Sequence, residues 1–136
     1  MKRFALLVLF GLALLSCKPN GNANPNPAGL SETPIPLTQL VNEFKANREQ
    51  AAHKYNTKTL AVRGKVKRAF PDENGKSWTV ELDTLDSDSS LTCYFNEQQA
   101  GPVLKLQKNQ EVTIKGEFLA EDTQGIEMRL SDCTLQ

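Results

Sequence analysis

The sequence predicts a mainly β domain, a small closed barrel of five strands preceded by one α-helix, and three observations lead to this fold class. Apolar and polar residues alternate in five separate segments, as they do in strands that have one buried face. A stripe of apolar residues at helical spacing precedes them, between residues 37 and 55. Two of the strand segments carry a central glycine, Gly64 and Gly116, which allows a strand to bend as a barrel closes.

The predicted helix provides residues that pack in the core rather than catalytic or binding residues. Its apolar side chains fall at positions 37, 40, 41, 44, 51, 52 and 55, which form one face of a helix. Asn47 lies on the same stripe, and we expect it to be a buried, hydrogen-bonded side chain rather than a site residue. His53, the only histidine, lies near the helix end, where we expect it at the surface beside the negative end of the helix dipole.

The five strands follow the helix in order. Their alternating segments are residues 60–66, 78–82, 91–95, 112–118 and 126–130. Asn74-Gly75 is a hairpin-turn signal between the first two strands, and Gly64 suggests a bulge or bend in the first. Residues 97–107 are expected to form a short helix or a loop with one helical turn, because Gly101-Pro102 weakens a longer helix. This order of elements is that of the five-stranded Greek-key barrel known as the OB-fold.

The N-terminal residues indicate export from the cytoplasm. Lys2 and Arg3 precede an apolar run of 12 residues, the arrangement of a secretory signal. As a helix this run would reach about 18 Å, which is too short for the ~30 Å core of a bilayer. The next residues, Leu14-Leu15-Ser16-Cys17, resemble the bacterial lipobox, in which the cysteine is lipidated and becomes the new N-terminus. The alternative is an ordinary signal peptide with an incidental cysteine.

The chain therefore divides into three predicted parts. Residues 1–16 are a lipoprotein signal peptide, and Cys17 carries a membrane anchor that contains palmitate. Residues 17–36 are rich in Pro, Asn and Gly and offer few apolar side chains to bury, so we expect a disordered tether. Residues 37–136 suffice for one OB-fold domain with a single core. This organisation predicts a protein of the cell envelope, lipid-anchored to a membrane and on the periplasmic side in a Gram-negative cell.

Cysteine usage and charge add two expectations. Cys93 and Cys133 form an even pair in an oxidising compartment, so we expect a disulfide that closes a loop of 39 residues, with two buried free thiols as the alternative. Without Lys2 and Arg3 the chain carries 14 Lys and Arg against 16 Asp and Glu. This weakly acidic balance does not attract polyanions.

No motif in the chain predicts catalysis, a cofactor or a metal. The sequence contains no Gly-x-Ser-x-Gly, no His-Glu-x-x-His and no phosphate-binding glycine loop, so we predict that the protein is not an enzyme. His53 and the two cysteines lack the paired spacing of a zinc site. Asp83, Asp86 and Asp88 lack the glycine of an EF-hand loop, so we expect a solvated acidic loop.

A binding face is expected on the second and third strands, because OB-folds bind oligonucleotides and oligosaccharides there. The candidate residues are Thr79, Glu81 and Tyr94, which provide one aromatic ring and no cation. The cations instead fall on the first strand, at positions 63, 65, 67 and 68, where a solvated face explains them.

We therefore do not expect nucleic-acid binding as the main role. The sequence predicts a recognition or assembly module for an unidentified envelope protein, glycan or peptide, and fold-level analogy supports this prediction. Single-stranded nucleic acid or oligosaccharide binding through the second and third strands is the alternative. A further alternative is that the protein is an inert structural lipoprotein.

A set of short motifs supports the barrel independently. They are Asn47, Ala51, Tyr55, Lys58, Leu60, Val62-x-Gly64-x-Val66, Leu82, Cys93-x-Phe95, Leu106, Val112-x-Ile114-x-Gly116 and Leu130-x-x-Cys133. Their order and spacing resemble the tRNA_anti-like family of OB-fold domains, which is common among bacterial lipoproteins and exported proteins. The bacterial OB-fold stress proteins are a less close match. The resemblance covers about residues 37–136 and implies no tRNA substrate.

The resemblance has two further implications. The chain has Asn109-Gln110 where the family commonly has Gly-Asp, and Asn tolerates the left-handed backbone that a turn there can require. Neighbouring third and fifth strands, as in an OB barrel, would place Cys93 beside Cys133. The resemblance therefore favours the disulfide.

Overall fold

A computed structural model describes residues 33–122 and 125–136 of the protein. The predicted signal peptide, the predicted lipidation site Cys17 and most of the predicted tether lie outside the described residues. In chain order the elements are strand β1 (Ile35–Pro36), helices α1 (Leu37–Ala46) and α2 (Arg48–Tyr55), strands β2 (Thr59–Pro71), β3 (Trp78–Leu82) and β4 (Ser89–Phe95), a 3₁₀ turn (Glu97–Gln99), helix α3 (Ala100–Val103), and strands β5 (Glu111–Asp122) and β6 (Ile126–Leu135).

Five of the strands close into a barrel. β2 pairs with β3, β3 with β4, β5 with β6 and β2 with β5, all antiparallel, and the parallel pairing of β4 with β6 completes the circle. This order confirms the predicted OB-fold. The two-residue strand β1 lies outside the barrel and pairs parallel with β2. We assigned its residues to the tether, so the folded part extends at least two residues further toward the N-terminus than the sequence indicates.

The helices pack on the barrel through three aromatic side chains. Phe44 of α1, Tyr55 of α2 and Phe118 of β5 are all buried, and their ring centroids lie 5.9 to 6.4 Å apart. Tilted and edge-to-face pairs at such distances stabilise a core beyond the area that they bury. Asn56, just after α2, accepts a hydrogen bond of 2.9 Å from the backbone N–H of Ala120, which links the helix end to β5.

Asn47 divides the predicted single helix into α1 and α2. Its backbone is extended, with φ −157° and ψ 97°, and its side-chain oxygen accepts a hydrogen bond of 3.0 Å from the N–H of Gln50. Asn47 is therefore an exposed N-cap rather than the buried hydrogen-bonding residue that we predicted, because an Asn side chain can satisfy the free N–H groups of a new helix start. His53 is exposed in the last turn of α2, as predicted.

A network centred on Glu43 joins the two helices across this break. Its Oε2 accepts hydrogen bonds from the Lys54 ammonium at 2.8 Å and the Tyr55 hydroxyl at 2.9 Å, and its Oε1 accepts one from Gln39 at 3.0 Å. These hydrogen bonds lower the pKa of Glu43, and the bond from Lys54 has the largest effect. Burial raises the pKa of Tyr55. The carboxylate thus has a structural role in orienting α2 on α1.

The strand irregularities differ in part from those predicted. Gly64 pairs regularly with Val112, and the bulge in β2 falls three residues later, between Val66 and Arg68. A second irregularity lies in β6 opposite Gly116, where Asp132 and Cys133 together face Gly116 between the pairs Lys115–Thr134 and Glu117–Ser131. The bulges bend the strands, as closure of a small barrel requires.

The predicted turns are present with the expected backbone. Gly75, in the loop between β2 and β3, has φ +67°, and Asn109, in the turn before β5, has φ +68°. Asn109 therefore occupies the left-handed conformation that we expected it to tolerate. The segment between β4 and β5 contains only the 3₁₀ turn and one turn of α3, in line with the predicted short helical segment.

Candidate functional site

Three of the outward side chains lie in one row across β2, β3 and β4. Phe70 is opposite Thr79, and Thr79 is opposite Tyr94. Phe70 is 38% and Tyr94 46% exposed, although both are large aromatic residues on a small domain. Neighbouring strands lie about 4.8 Å apart, so the backbones that carry these two residues are separated by roughly 10 Å. The row presents two rings on either side of a threonine.

The adjacent row contains a paired cation and anion. Arg68 lies opposite Glu81 and donates two hydrogen bonds to its carboxylate, from Nε at 2.8 Å and from Nη2 at 2.6 Å. These bonds raise the pKa of Arg68. The guanidinium also lies 5.1 Å from the centroid of the Phe70 ring, within the range of a cation–π contact. We call the surface formed by Arg68, Phe70, Thr79, Glu81 and Tyr94 the aromatic face.

A shallow polar depression of about 80 Å³ borders Tyr94. Its other lining residues come from β4, β5 and β6 and are Ser90, Thr92, Glu121, Glu127, Met128 and Arg129. The parallel pairing of β4 with β6 produces this group, because it places Thr92 beside Arg129 and Ser90 beside Glu127. Arg129 forms an ion pair with Glu121. The depression therefore extends the aromatic face with hydroxyl and carboxylate groups.

The structure brings the candidate residues Thr79, Glu81 and Tyr94 together on this face. Sequence reasoning missed Phe70 and did not place Arg68 beside Glu81. The bulge explains both omissions, since it reverses the alternation within β2: odd-numbered residues point outward before it and even-numbered ones after it. The signal in the sequence is Lys67-Arg68, two successive charged residues in a strand that otherwise alternates.

The remaining cations of β2 lie outside the aromatic face. Arg63 and Lys65 are exposed where β2 pairs with β5, and the Arg63 Nε lies 4.0 Å from a carboxylate oxygen of Glu111. Solvent-exposed side chains at this distance interact weakly. This arrangement agrees with the predicted solvated face.

The acidic loop between β3 and β4 is held by hydrogen bonds within the loop and by an ion pair with α1. Asp83 accepts a hydrogen bond of 2.9 Å from the N–H of Leu85, and Asp86 forms an ion pair with Lys45 of α1. That ion pair, together with hydrogen bonds inside the loop, lowers the pKa of Asp86. Within residues 33–122 and 125–136, no three His, Cys, Asp or Glu side chains are grouped as metal ligands would be.

The two cysteines are neighbours but are not bonded. Cys93 on β4 and Cys133 on β6 are both completely buried free thiols, so the structure differs from the disulfide that we predicted. Cys93 pairs with Leu130, and the Cys133 thiol donates a hydrogen bond of 3.3 Å to the Leu130 carbonyl. Burial is the main cause that raises the pKa of the Cys93 thiol, and the neighbouring Cys133 thiol raises it further. Neutral thiols fit this apolar interior without a bond between them.

A larger cavity, of about 410 Å³, lies between α2 and the β5–β6 hairpin. Phe44, Ala52, Ala120 and Ile126 provide its apolar lining, and Arg48, Glu49 and Glu121 its charged lining. This cavity is separate from the predicted site residues Thr79, Glu81 and Tyr94.

None of the described helices has the length and apolar character needed to cross a membrane.

Comparison with solved structures gives matches of the same fold. A lipoprotein from Klebsiella pneumoniae subsp. pneumoniae MGH 78578, described as a candidate nucleic-acid binder, is similar over 76% of this chain and 92% of its own, with 22% identity and a TM-score of 0.57. A candidate aspartyl-tRNA synthetase from Leishmania major Friedlin matches 81% of this chain and 22% of its own, with 14% identity and a TM-score of 0.51. At these identities the likeness shows the fold alone.

No curated protein matches the sequence. The family comparison is more informative, because it covers nearly the whole chain. The family model for tRNA_anti-like proteins matches residues 5–131. Together with the closed five-stranded barrel, this match shows that the chain belongs to the tRNA_anti-like family of OB-fold domains.

Proposed function

We propose that the protein is a lipid-anchored lipoprotein of the cell envelope whose OB-fold domain recognises a ligand through the aromatic face. The observation that carries the proposal is the cross-strand row of Phe70, Thr79 and Tyr94, with two exposed aromatic rings. Exposed aromatic side chains grouped on one sheet face are typical of binding surfaces, since they provide contact area with little loss of conformational freedom. Thr79 and Tyr94 lie on the second and third barrel strands, where OB-folds bind their ligands, and Phe70 extends the row onto the first barrel strand.

Photo-crosslinking tests this recognition role. A photoreactive amino acid placed at Thr79 or Tyr94 in intact cells should give one dominant adduct, because both positions lie in the proposed contact surface. Lys108, exposed in the turn before β5, is the matched control position. If positions 79 and 94 give the same weak and diffuse products as position 108, the protein is a structural lipoprotein without a ligand at this face.

The anchor rests on the sequence around Cys17 and on the lipoprotein identity of the Klebsiella pneumoniae relative. Cys17→Ala should abolish metabolic labelling with palmitate and leave the precursor unprocessed or the protein released from the membrane, because the lipid-bearing sulfur is removed. Cys93→Ala is the matched control and should retain the label, since Cys93 is buried in the barrel. Unchanged labelling of the Cys17→Ala variant would contradict the proposed anchor.

Single-stranded nucleic acid is the second candidate ligand. The Klebsiella pneumoniae lipoprotein is described as a candidate nucleic-acid binder, and aromatic rings on an OB-fold face can stack with bases. The pairing of Arg68 with Glu81 argues against this candidate, since nucleic-acid binding needs cations that are free to contact phosphates.

A further inference from the structure

We infer that the ligand of the aromatic face is an uncharged oligosaccharide. This inference rests on the proposed recognition role of that face and names the class of ligand. It follows from the pairing of the charges, from the two exposed rings and from the polar groups that surround them.

The charges of the face do not suit a polyanion. Arg68 is held by two hydrogen bonds to Glu81, and Arg129 is paired with Glu121. Glu127 adds a third carboxylate on the strand that flanks the depression, so the face and depression together carry two cations and three anions. A phosphate backbone would meet unfavourable potential here, and each contact would require an existing ion pair to be broken.

The rings suit the apolar side of a sugar. Phe70 and Tyr94 are roughly 10 Å apart along the row, and Thr79 lies between them. An oligosaccharide is extended and presents flat C–H faces that pack on aromatic rings, while its edges carry hydroxyl groups. Because Arg68 lies over one side of Phe70 and is fixed by Glu81, that ring is held in place before a ligand arrives.

The surrounding polar groups suit the sugar hydroxyls. Thr79 between the rings, and Thr92 and Ser90 in the depression, offer hydroxyl groups that both donate and accept hydrogen bonds, and Glu127 offers a carboxylate acceptor. Sugar hydroxyls can satisfy all of these groups, and hydrogen bonds to a carboxylate are among the stronger ones. A purely apolar peptide segment would instead cover them and leave them without partners, which is unfavourable.

Calorimetric titration of the detergent-solubilised full-length protein tests the inference. The probes are cellotetraose, maltotetraose and tetra-N-acetylchitotetraose as neutral oligosaccharides, and an oligodeoxythymidylate as the polyanion. At least one neutral probe should bind, and its affinity should stay nearly constant between about 50 and 200 mM salt, whereas nucleic-acid binding weakens steeply over this range. Phe70→Ala and Tyr94→Ala should each lower the affinity by about tenfold, equivalent to one stacking contact.

Lys108→Ala is the matched control and should bind like the unaltered protein, since Lys108 is exposed and is not among the residues that form the aromatic face or line the depression. Thermal unfolding of each variant verifies that the fold is retained. Failure of all three neutral probes, or tighter binding of the oligodeoxythymidylate, overturns the inference. If crosslinks from Thr79 and Tyr94 then still give one dominant partner, the recognition role stands and only the ligand class is wrong; if they do not, both are wrong.

Discussion

Gly116→Val is expected to lower the free energy of unfolding by about 3 kcal/mol, the upper part of the usual range for overpacking a core. A Cβ atom at position 116 would lie 2.7 Å from the backbone oxygen of Ser131, 3.0 Å from the Cys133 Sγ and 3.2 Å from the Leu130 Cβ. All three neighbours belong to β6, which is hydrogen-bonded to both β4 and β5. The strand therefore cannot move away without loss of barrel pairing. Urea unfolding of the folded domain measures the effect.

Two controls separate this steric effect from the loss of a glycine. A Cβ atom at Gly101 has no neighbour within 4 Å, so Gly101→Ala should be nearly neutral whereas Gly116→Ala should already destabilise the domain. Lys115→Thr, at the adjacent position in β5, should change the unfolding free energy by only a few tenths of a kcal/mol. Equal unfolding midpoints for Gly116→Val and Lys115→Thr would contradict the close approach of β5 to β6.

The order of the elements could be predicted because each strand carries its own alternation. The segments that contain Leu60, Val80 and Leu130, for example, bury one face and therefore repeat with period two. The position of the helix break could not be predicted in this way. Asn47 lies on the apolar stripe in register with buried positions, and the extended backbone of Asn47 and its capping bond to Gln50 show that the chain starts a new helix there.

The candidate site was predictable only where the alternation is unbroken. Thr79, Glu81 and Tyr94 lie on two regular strands that pair with each other, so their outward positions follow from sequence. Phe70 lies beyond the bulge in β2, and a strict alternation places it inside the barrel. The contribution of β6 depends on a parallel pairing between segments far apart in the chain, which no local pattern specifies.

Oxidation of Cys93 and Cys133 to a disulfide is expected to raise the free energy of unfolding by roughly 2 to 4 kcal/mol. The bond would close a loop of 39 residues, and the chain-entropy model sets its stabilisation at roughly 4 kcal/mol, from which native strain subtracts. Both residues lie on the paired strands β4 and β6, and Cys93 pairs with Leu130, whose carbonyl accepts the hydrogen bond of the Cys133 thiol. Urea unfolding before and after treatment with a thiol oxidant measures the gain, and mass spectrometry should show a loss of about 2 Da on bond formation.

The reduced protein should behave as the buried thiols indicate. Burial raises the pKa of Cys93, so little thiolate forms near neutral pH, and an alkylating reagent should modify Cys93 and Cys133 only after denaturation. Cys93→Ala is the matched control, because it keeps the fold in place but cannot form the bond, and the oxidant should leave its unfolding free energy unchanged. If the oxidant leaves both the mass and the stability of the unaltered protein as they were, the two sulfurs cannot be joined within this barrel. The packing of β4 against β6 would then stabilise that part of the core without a covalent link.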